Sequence, residues 1–257
     1  TDAAITADAA LLIDDTRNKA LYAQNIYASE YPASVSKIAT ALMTFKYAKF
    51  DDTVTISYNA SHVTEPGARL CGFKEGDKIS VKDLLYGMMV YSGNDAAVAL
   101  AEYISGSETD FAAEMNQEMV AIGASGTHFV NASGLHDDQH YTTAYDLYLI
   151  FSEFIKHDLA YLIDSLTSYD FTYTDANGET RSVTLEATNG YISGEFQFPE
   201  GYSLGSWKSG TTTAAGNCLI LEFVKDDTGD KYIAVIAGAE DRSTLYNDMT
   251  MLINTAK

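Results

Sequence analysis

Basic residues and proline are scarce in this sequence, and it contains no repeats and no long apolar run. Its 257 residues include 16 lysines and arginines against 36 acidic residues, which gives a formal net charge of -20. A surface this acidic repels phosphate backbones, so no nucleic-acid partner is expected, and a polybasic attachment to anionic lipid is disfavoured as well. With 46% hydrophobic residues and only 3 prolines, the composition excludes a disordered or repetitive chain and is typical of a folded globular one.

The two cysteines, Cys71 and Cys218, are too few for a disulfide framework and lack the spacing of metal ligands. Two unlinked, half-buried thiols are expected, and a single disulfide stays open for an exported protein. The longest apolar stretches, residues 84–91 and 232–239, are far too short to cross a bilayer. The sequence contains no signal peptide, which a mature exported protein would lack in any case. Membrane attachment is expected only through segments outside this chain, if at all.

Hydrophobic patterning predicts strands near both ends of the chain. Residues 9–13 and 20–22 have the pattern of a hairpin around the polar turn at 14–18. Near the other end, residues 219–224 and 232–237 are two strong strand patterns joined by an acidic turn. One antiparallel sheet built from both chain ends follows from this arrangement.

The middle of the chain shows helical spacing, with apolar residues every three or four positions. Ser80 and Asp83 have the spacing of a capping box at a helix start. Asn177-Gly178 indicates one further hairpin within this region. The predicted helices begin at Ser34, Ser80, about residue 95, Ser107 and Thr143, and a closing helix covers residues 243–256.

These elements predict an α+β fold in a single domain, residues 1–257: an antiparallel sheet flanked by helices, with an inserted, mainly helical subdomain. We expect the sheet subdomain at about residues 1–50 and 200–257, and the helical and loop insertion at about residues 51–199.

Three short motifs stand out by their order along the chain. A Ser-x-x-Lys begins a predicted helix, a Ser-Gly-Asn lies at a junction between two helices, and a Lys-Ser-Gly-Thr precedes a strong strand. Each motif alone is weakly specific, whereas their order and contexts together are far more specific. The motifs are Ser34-Val35-Ser36-Lys37, Ser92-Gly93-Asn94 and Lys208-Ser209-Gly210-Thr211.

The first motif suits nucleophilic catalysis. A serine hydroxyl is a poor nucleophile unless a neighbouring base takes its proton, and Ser34 and Lys37 would share one face of a helix. A lysine acts as a base only where burial or a second cation destabilises its ammonium form, and Lys208 is that cation if the motifs converge. The helix N-terminus also favours negative charge that develops near Ser34. The plain alternative, an N-cap serine followed by a solvated lysine, is disfavoured by the other two motifs.

The other two motifs offer contacts to a substrate. Ser92 can relay a proton, and Asn94 can bind a substrate amide with both a donor and an acceptor. Gly93 and Asn94 equally suit a joint between two helices. Residues 208–211 at a strand edge can pair with an extended peptide, because Gly210 lets the peptide backbone approach. A β-bulge with an exposed lysine is the alternative.

The three motifs resemble the S-x-x-K, S-x-N and K-T-G set of penicillin-recognising serine enzymes. Ser209 departs from the usual threonine but keeps a hydroxyl. Longer segments resemble the D-Ala-D-Ala carboxypeptidase branch, and the likeness spans roughly residues 9–253. These segments are Tyr31-Pro32-Ala33-Ser34, Asp83-Leu84-Leu85-Tyr86-Gly87, Ser92-Gly93-Asn94-Asp95-Ala96 and His140-Tyr141-Thr142-Thr143-Ala144-Tyr145-Asp146.

The resemblance implies a serine D-Ala-D-Ala carboxypeptidase of the bacterial cell envelope, active outside the cytoplasm. Such an enzyme removes the terminal D-alanine of peptidoglycan stem peptides, is acylated by β-lactam antibiotics, and uses neither a metal nor a cofactor. Ser34 would be the nucleophile, Lys37 its proton acceptor and Ser92 the proton donor to the departing D-alanine. Backbone N–H groups of Ser34 and Thr211 would form the oxyanion hole. The resemblance further implies a substrate-binding set of Asn94, Lys208, Ser209, Gly210, Thr211 and, by a loose local alignment, Arg242.

Two other functions on the same fold stay open. A serine β-lactamase needs fast deacylation, and the one tempting glutamate, in residues 186–189, stands too late in the chain with the wrong spacing. A non-catalytic peptidoglycan-binding protein is disfavoured by three intact motifs. A Ser-His-Asp hydrolase is disfavoured too, because no G-x-S-x-G elbow precedes a histidine.

The remaining polar signals indicate no cofactor. Residues 136–140 contain two histidines but lack a helical frame that would bring them together, so a solvated loop is expected instead of a zinc site. His62, His128 and His157 have the pattern of ordinary loop or surface residues. No phosphate-binding glycine loop or dinucleotide fingerprint occurs in the sequence.

Overall fold

The structure is a computed structural model that describes residues 4–256. Strands lie near both ends of the chain, and most of the helices lie between them. The strands are β1 (Ala9–Asp14), β2 (Lys19–Gln24), β3 (Thr53–Thr55), β4 (Lys78–Ser80), β5 (Ser168–Thr174), β6 (Thr180–Glu186), β7 (Tyr202–Thr212), β8 (Gly216–Lys225) and β9 (Lys231–Ala239). The α-helices are α1 (Lys37–Tyr47), α2 (Tyr58–Ser61), α3 (Val81–Val90), α4 (Asn94–Ser105), α5 (Glu108–Ala121), α6 (Ala144–Phe154), α7 (Asp158–Asp164) and α8 (Arg242–Asn254).

The first two and the last three strands form one antiparallel sheet in the order β2-β1-β9-β8-β7, which confirms the predicted α+β fold. β1 is buried along its whole length because both faces of the sheet are covered. Leu11 and Ile13 join the core shared with the central helices, whereas Ala10 and Leu12 join the core beneath α8. The near-continuous apolar run of β1 therefore reflects burial on both sides. β7 forms an edge of this sheet and carries the third motif.

The inserted region contains a second sheet that the sequence patterns did not predict as a unit. Its order is β3-β4-β5-β6, and the hairpin of β5 and β6 turns at residues 175–179, as Asn177-Gly178 indicates. The contact between β4 and β5 is a single pair, Lys78 with Thr174. A pairing this short between strands about ninety residues apart leaves no trace in local periodicity.

Helix starts follow the predicted capping residues. The side chains of Ser80, Ser107 and Thr143 each accept a hydrogen bond from the backbone N–H three residues later. α8 begins at Arg242 and ends at Asn254, close to the predicted range. The short helix α7 was not predicted, because its seven residues are too few for a clear helical period.

The helix predicted to begin at Ser34 starts instead with a tighter turn. Ala33–Ser36 form a 3-10 turn, and α1 begins at Lys37. Ser34 therefore lies ahead of the first α-helical turn, still three residues before Lys37.

Cys71 and Cys218 are both free thiols, as expected for unlinked cysteines, and Cys218 is fully buried in the core. In the part of the chain that the structure describes, no helix is both long and apolar enough to cross a membrane.

Candidate active site

All three motifs meet at one cleft of about 590 Å³ beside the edge strand β7. Ser34, Ser92 and Asn94 line it, and residues 209–211 of β7 form the opposite wall. Lys37 and Lys208 lie directly beneath, each with 0% of its surface exposed. The structure thus brings together residues that are up to 177 positions apart in the sequence, as the predicted convergence of the motifs requires.

The backbone beside Ser34 is held in an uncommon conformation. Ala33 has a φ of 47°, a left-handed value that costs a residue with a Cβ about 1 kcal/mol. A Cβ on Gly134 would lie 1.9 Å from the Ala33 carbonyl oxygen, so only glycine permits the loop at residue 134 to pack on this turn. The close packing of the two segments keeps Ser34 at the mouth of the cleft.

Lys37 is surrounded by three oxygen atoms. Its Nζ lies 2.9 Å from Ser34 Oγ, 2.7 Å from Asn94 Oδ1 and 2.6 Å from the Ser133 carbonyl oxygen. Burial lowers the pKa of Lys37 well below its ordinary value, and the positive charge of Lys208 lowers it further. The lysine is therefore biased toward the neutral amine, which is the form that can accept a proton.

Lys208 occupies the other side of the cleft floor. Its Nζ donates hydrogen bonds to Ser92 Oγ at 3.0 Å and to the Ser209 carbonyl oxygen at 2.9 Å. Burial lowers the pKa of Lys208 to about 7, while the carboxylate of Asp164 acts in the opposite direction. Ser92 itself has a φ of 70°, so a strained backbone directs its hydroxyl toward this lysine.

Asn94 links the first two motifs. Its Oδ1 accepts from Lys37, and its Nδ2 donates to the Arg69 carbonyl oxygen at 3.1 Å. One hydrogen of the side-chain amide remains beyond these contacts. Asn94 therefore orients Lys37 and retains one donor for a ligand.

Gly210 lets β7 pass directly over the turn that carries Ser34. A Cβ at this position would lie 2.7 Å from the Ser34 backbone nitrogen and 2.9 Å from that of Val35. Beside it, Ser209 Oγ lies 3.1 Å from Thr188 Oγ1, and Thr211 Oγ1 donates to Asn217 Oδ1 at 3.0 Å. The hydroxyls of the third motif are thus fixed along the wall of the cleft.

Arg242 lines the same cleft at the start of α8. Its guanidinium pairs with Glu195 at 2.8 Å, donates to the Thr188 carbonyl oxygen at 3.2 Å and stacks on the ring of Tyr246. The structure therefore places this loosely aligned arginine at the cleft, with its charge partly matched by a neighbouring glutamate.

Two residues at the site were given no role from the sequence. The buried carboxylate of Asp95 accepts from the backbone N–H groups of Cys71 and Gly72 at 2.9 and 2.8 Å, and so holds the loop beside Asn94. Arg69 lines the cleft on that loop with its guanidinium over the ring of Tyr91. Asp95 directly follows the second motif, which was the one available signal.

The prediction of a solvated loop at residues 136–140 is wrong for its last residue. Residues 136–139 are exposed, but His140 is only 2% exposed and contacts Ser36. The reason is that residue 141 pairs with residue 128 in an isolated bridge, which draws His140 inward. Among the residues that the structure describes, no group of three or more His, Cys, Asp or Glu is placed to hold a metal ion.

The antiparallel sheet has a separate core on each face, and the turn with Ser34 packs against its edge strand next to Lys37. This arrangement is the fold class of the penicillin-recognising serine enzymes. The D-alanyl-D-alanine carboxypeptidase family (peptidase family S11) matches residues 1–241. The chain belongs to this family.

Two individual relatives support this family assignment. The chain is 32% identical over 257 residues to the D-alanyl-D-alanine carboxypeptidase DacF of Bacillus subtilis, covering 97% of this chain and 62% of that protein. It is 32% identical over 245 residues to DacD of Salmonella typhimurium, covering 92% and 59%. The chain thus spans about three fifths of the length of these relatives.

Solved structures show the same fold. The Streptomyces K15 DD-transpeptidase superposes with a TM-score of 0.89 at 26% identity, covering 99% of this chain and 98% of that one. Penicillin-binding protein D2 from Listeria monocytogenes, in its cefotaxime-bound form, has a TM-score of 0.80 at 27% identity, with coverage of 99% and 98%.

Proposed function

We propose that this chain acts as a serine D-Ala-D-Ala carboxypeptidase that removes the terminal D-alanine of peptidoglycan stem peptides. The observation that carries the proposal is the fully buried Lys37, whose Nζ lies 2.9 Å from the hydroxyl of Ser34. Membership of the D-alanyl-D-alanine carboxypeptidase family supports the choice of substrate. Such a substrate lies outside the cytoplasm of a bacterium, so we place the enzyme there.

Acylation begins with proton transfer from Ser34 to Lys37. The acceptors Asn94 Oδ1 and Ser133 O take the two hydrogens of the neutral amine, which leaves its lone pair facing Ser34 Oγ. The amine takes the hydroxyl proton as Ser34 Oγ forms a bond to the carbonyl carbon between the two D-alanines. Asn94 therefore serves the reaction by orienting the base as well as by its remaining amide hydrogen.

The negative charge of the tetrahedral intermediate falls on the former carbonyl oxygen. The backbone N–H groups of Ser34 and Thr211 are our candidates for the oxyanion hole. The absence of a Cβ at Gly210 supports this assignment, because it brings β7 close to the Ser34 nitrogen. Donors of this kind contribute roughly 100- to 1,000-fold each to acyl-transfer rates.

The departing D-alanine needs a proton on its nitrogen when the C–N bond breaks. Ser92 Oγ is our candidate donor, and it is refilled through its hydrogen bond from Lys208. The free carboxylate of the substrate would meet Arg242 and the hydroxyls of Ser209 and Thr211, which line the cleft, with Lys208 buried in its floor. Water then attacks the acyl-enzyme ester: a bond forms between the water oxygen and the acyl carbon as the ester bond to Ser34 Oγ breaks. Ser34 Oγ takes back the proton that Lys37 holds, and the proton lost by the water restores Lys208.

A β-lactam presents the same carbonyl and carboxylate as the dipeptide, so it should acylate Ser34 and leave slowly. The test is to incubate the protein with benzylpenicillin and to record its intact mass, with the variant Ser34→Ala alongside. A stable adduct on the wild type that is absent from the variant is expected. Release of D-alanine from a D-Ala-D-Ala peptide then confirms the substrate.

The same experiment separates the two competing functions. Destroyed benzylpenicillin with unmodified protein would identify a β-lactamase. The structure disfavours this function, because Glu186, the glutamate considered for deacylation, is exposed at the end of β6 and does not line the cleft. Intact drug with unmodified protein, together with peptide binding, would identify a non-catalytic peptidoglycan-binding protein.

A further inference from the structure

A buried chain of hydrogen bonds connects His140 to the turn that carries Ser34. His140 Nε2 lies 2.7 Å from Ser36 Oγ, and Ser36 Oγ donates to the Ala33 carbonyl oxygen at 2.8 Å. On the other side of the ring, His140 Nδ1 accepts a hydrogen bond from the backbone N–H of Val130 at 3.1 Å. His140 and Ser36 are 2% and 1% exposed, so water does not compete for these contacts.

The contacts determine which tautomer of His140 is present. Val130 N–H is a donor, so Nδ1 carries no proton and Nε2 carries one. Ser36 has one hydroxyl hydrogen, which goes to Ala33, so its oxygen is free to accept from Nε2. Each donor in the chain thus meets an acceptor, and the imidazole must be neutral.

This series of hydrogen bonds ends at Ala33, where the backbone is strained. Ala33 has a left-handed φ of 47° and immediately precedes Ser34. Strain of this kind persists only where neighbouring contacts hold it, and here Ser36 holds the Ala33 carbonyl from below while the loop at Gly134 covers it from above. Relaxation of Ala33 to a right-handed φ would turn its carbonyl group and the residue that follows, and so displace both the hydroxyl and the backbone N–H of Ser34 from the cleft.

We infer that His140 is a positioning residue that acts through Ser36 on the Ala33 carbonyl, and so holds Ser34 in the orientation in which Lys37 can take its proton. The inference rests on the proposed role of Ser34 as the nucleophile. It assigns a purpose to the hydroxyl of Ser36, the variable third residue of the Ser-x-x-Lys motif.

The surroundings of His140 keep this chain intact near neutral pH. Burial lowers the pKa of His140 to about 4, so the neutral imidazole persists well below pH 6. The charged and titratable groups that face it are Asp137, His128 and His136 on its own segment and Lys37 on α1. Protonation below about pH 4 would place a donor at Nδ1 against the Val130 N–H and break the chain.

The test compares the acylation rate of four variants with benzylpenicillin. Ser36→Ala removes the relaying hydroxyl with almost no change of volume, and His140→Leu removes the imidazole. Ser36→Thr keeps a hydroxyl at this position, and His157→Gln is a control at an exposed histidine. Ser36→Ala and His140→Leu are expected to acylate roughly 10- to 100-fold more slowly per folded molecule, as for other misplaced nucleophiles.

Ser36→Thr should stay within about threefold of the wild type, and His157→Gln should be unchanged. The folded fraction is measured by circular dichroism, so that the rate refers to folded protein alone. In a peptide assay, the loss should appear in kcat and leave KM nearly unchanged, because the substrate contacts are not altered.

A purely structural role predicts a different result: a lower melting temperature with an unchanged acylation rate of the folded fraction. That outcome for Ser36→Ala would overturn the inference. If the wild type itself is not acylated, the proposed function fails, and the two failures are thereby distinguished.

Discussion

Lys37 and Lys208 both lie under the cleft with no solvent contact. Burial lowers the pKa of both; the charge of Lys208 lowers that of Lys37 further, and the charge of Arg69 lowers that of Lys208. After burial, the largest influence on Lys37 is the positive charge of Lys208, which lowers its pKa, ahead of the carboxylates of Asp95 and Glu108, which raise it. The largest on Lys208 is the carboxylate of Asp164, which raises its pKa. This difference supports our assignment: we expect Lys208 to keep its proton more readily and Lys37 to act as the base.

Lys37→Met should abolish most of the acylation of Ser34, because methionine has a similar length and no basic nitrogen. Loss of a general base costs roughly 100- to 10,000-fold, and we expect that range in the second-order rate with benzylpenicillin. The control is Lys46→Met on the same helix, whose ammonium is exposed and pairs with Glu118. Acylation of the Lys37 variant at the control's rate would assign the base to another group.

Asp164→Asn should move the alkaline limb of the pH profile of kcat/KM to lower pH. Burial raises the pKa of Asp164 to about 8, and one of its carboxylate oxygens has no hydrogen-bond partner within the described residues. The pKa values of Asp164 and Lys208, about 8 and about 7, lie close together, so only part of the carboxylate is charged where Lys208 titrates. That charge stabilises the ammonium of Lys208, so its removal lets Lys208 lose its proton at a pH lower by a fraction of a unit. The acid limb, which reports Lys37, should move far less.

Asp158→Asn provides the matched control for this measurement. It lies at the exposed start of the same helix α7, and its charge is remote from the cleft floor. An alkaline limb that coincides in the wild type and in Asp164→Asn would show that Asp164 does not act on Lys208.

At the scale of elements, the site depends on the approach of β7 to the turn at residues 33–36. The two candidate N–H groups of the oxyanion hole lie on different elements: that of Ser34 on the turn and that of Thr211 on β7. The approach needs a backbone without a Cβ at Gly210, and it needs the turn to be held in its left-handed conformation at Ala33. Activity should therefore depend on small displacements of β7 that leave the fold intact.

Gly210→Ala should displace β7 and slow acylation roughly 100-fold, since its Cβ would meet the Ser34 nitrogen at 2.7 Å. Overpacking of this kind should also lower the free energy of unfolding by about 1–3 kcal/mol. Gly229→Ala is the control: its φ of 75° makes alanine strained, but nothing lies within 4 Å of the added carbon.

The two glycine variants should therefore lose similar stability and differ in rate. Urea denaturation gives the first quantity and stopped-flow acylation the second. Equal acylation rates in both variants would contradict a role of this close approach in catalysis.

At the scale of the whole molecule, the charge distribution is uneven. The formal net charge is -20, yet the cleft and its floor contain Arg69, Lys208 and Arg242, with Glu65 as an acidic lining residue. A substrate with a free carboxylate is thus repelled by most of the surface and attracted at the cleft.

The two cores should unfold together, because β1 and β9 place side chains in both. Trp207 is the single tryptophan and is 1% exposed in the core beneath α8, so its fluorescence reports on that side of the sheet. Far-UV circular dichroism reports mainly on the helices of the other core. We expect the two signals to give one coincident urea transition. Two separated transitions would show that the sheet and the inserted region unfold independently.

Local patterns were sufficient for much of this molecule. The hairpin at the N-terminal end, the capped starts at Ser80, Ser107 and Thr143, and the last two strands all follow from residue periodicity and turn chemistry, which act over a few residues. The three motifs likewise predicted which side chains would meet. Their catalytic and binding roles stay predictions until the variants are measured, as does the division into two subdomains at about residues 50 and 200.

Other features depend on contacts between distant parts of the chain. The joining of β4 to β5, the burial of His140 against Ser36 and the influence of Asp164 on Lys208 each bring together residues at least 44 positions apart. Burial and the charges of such neighbours set the pKa of a lysine, and neither is encoded in local sequence spacing. The sequence by itself therefore determined the family and the fold class, and it predicted the reacting groups. Only the tertiary structure decided which lysine is more strongly biased toward the neutral amine, which turn is strained and which histidine lies beneath the turn that carries Ser34.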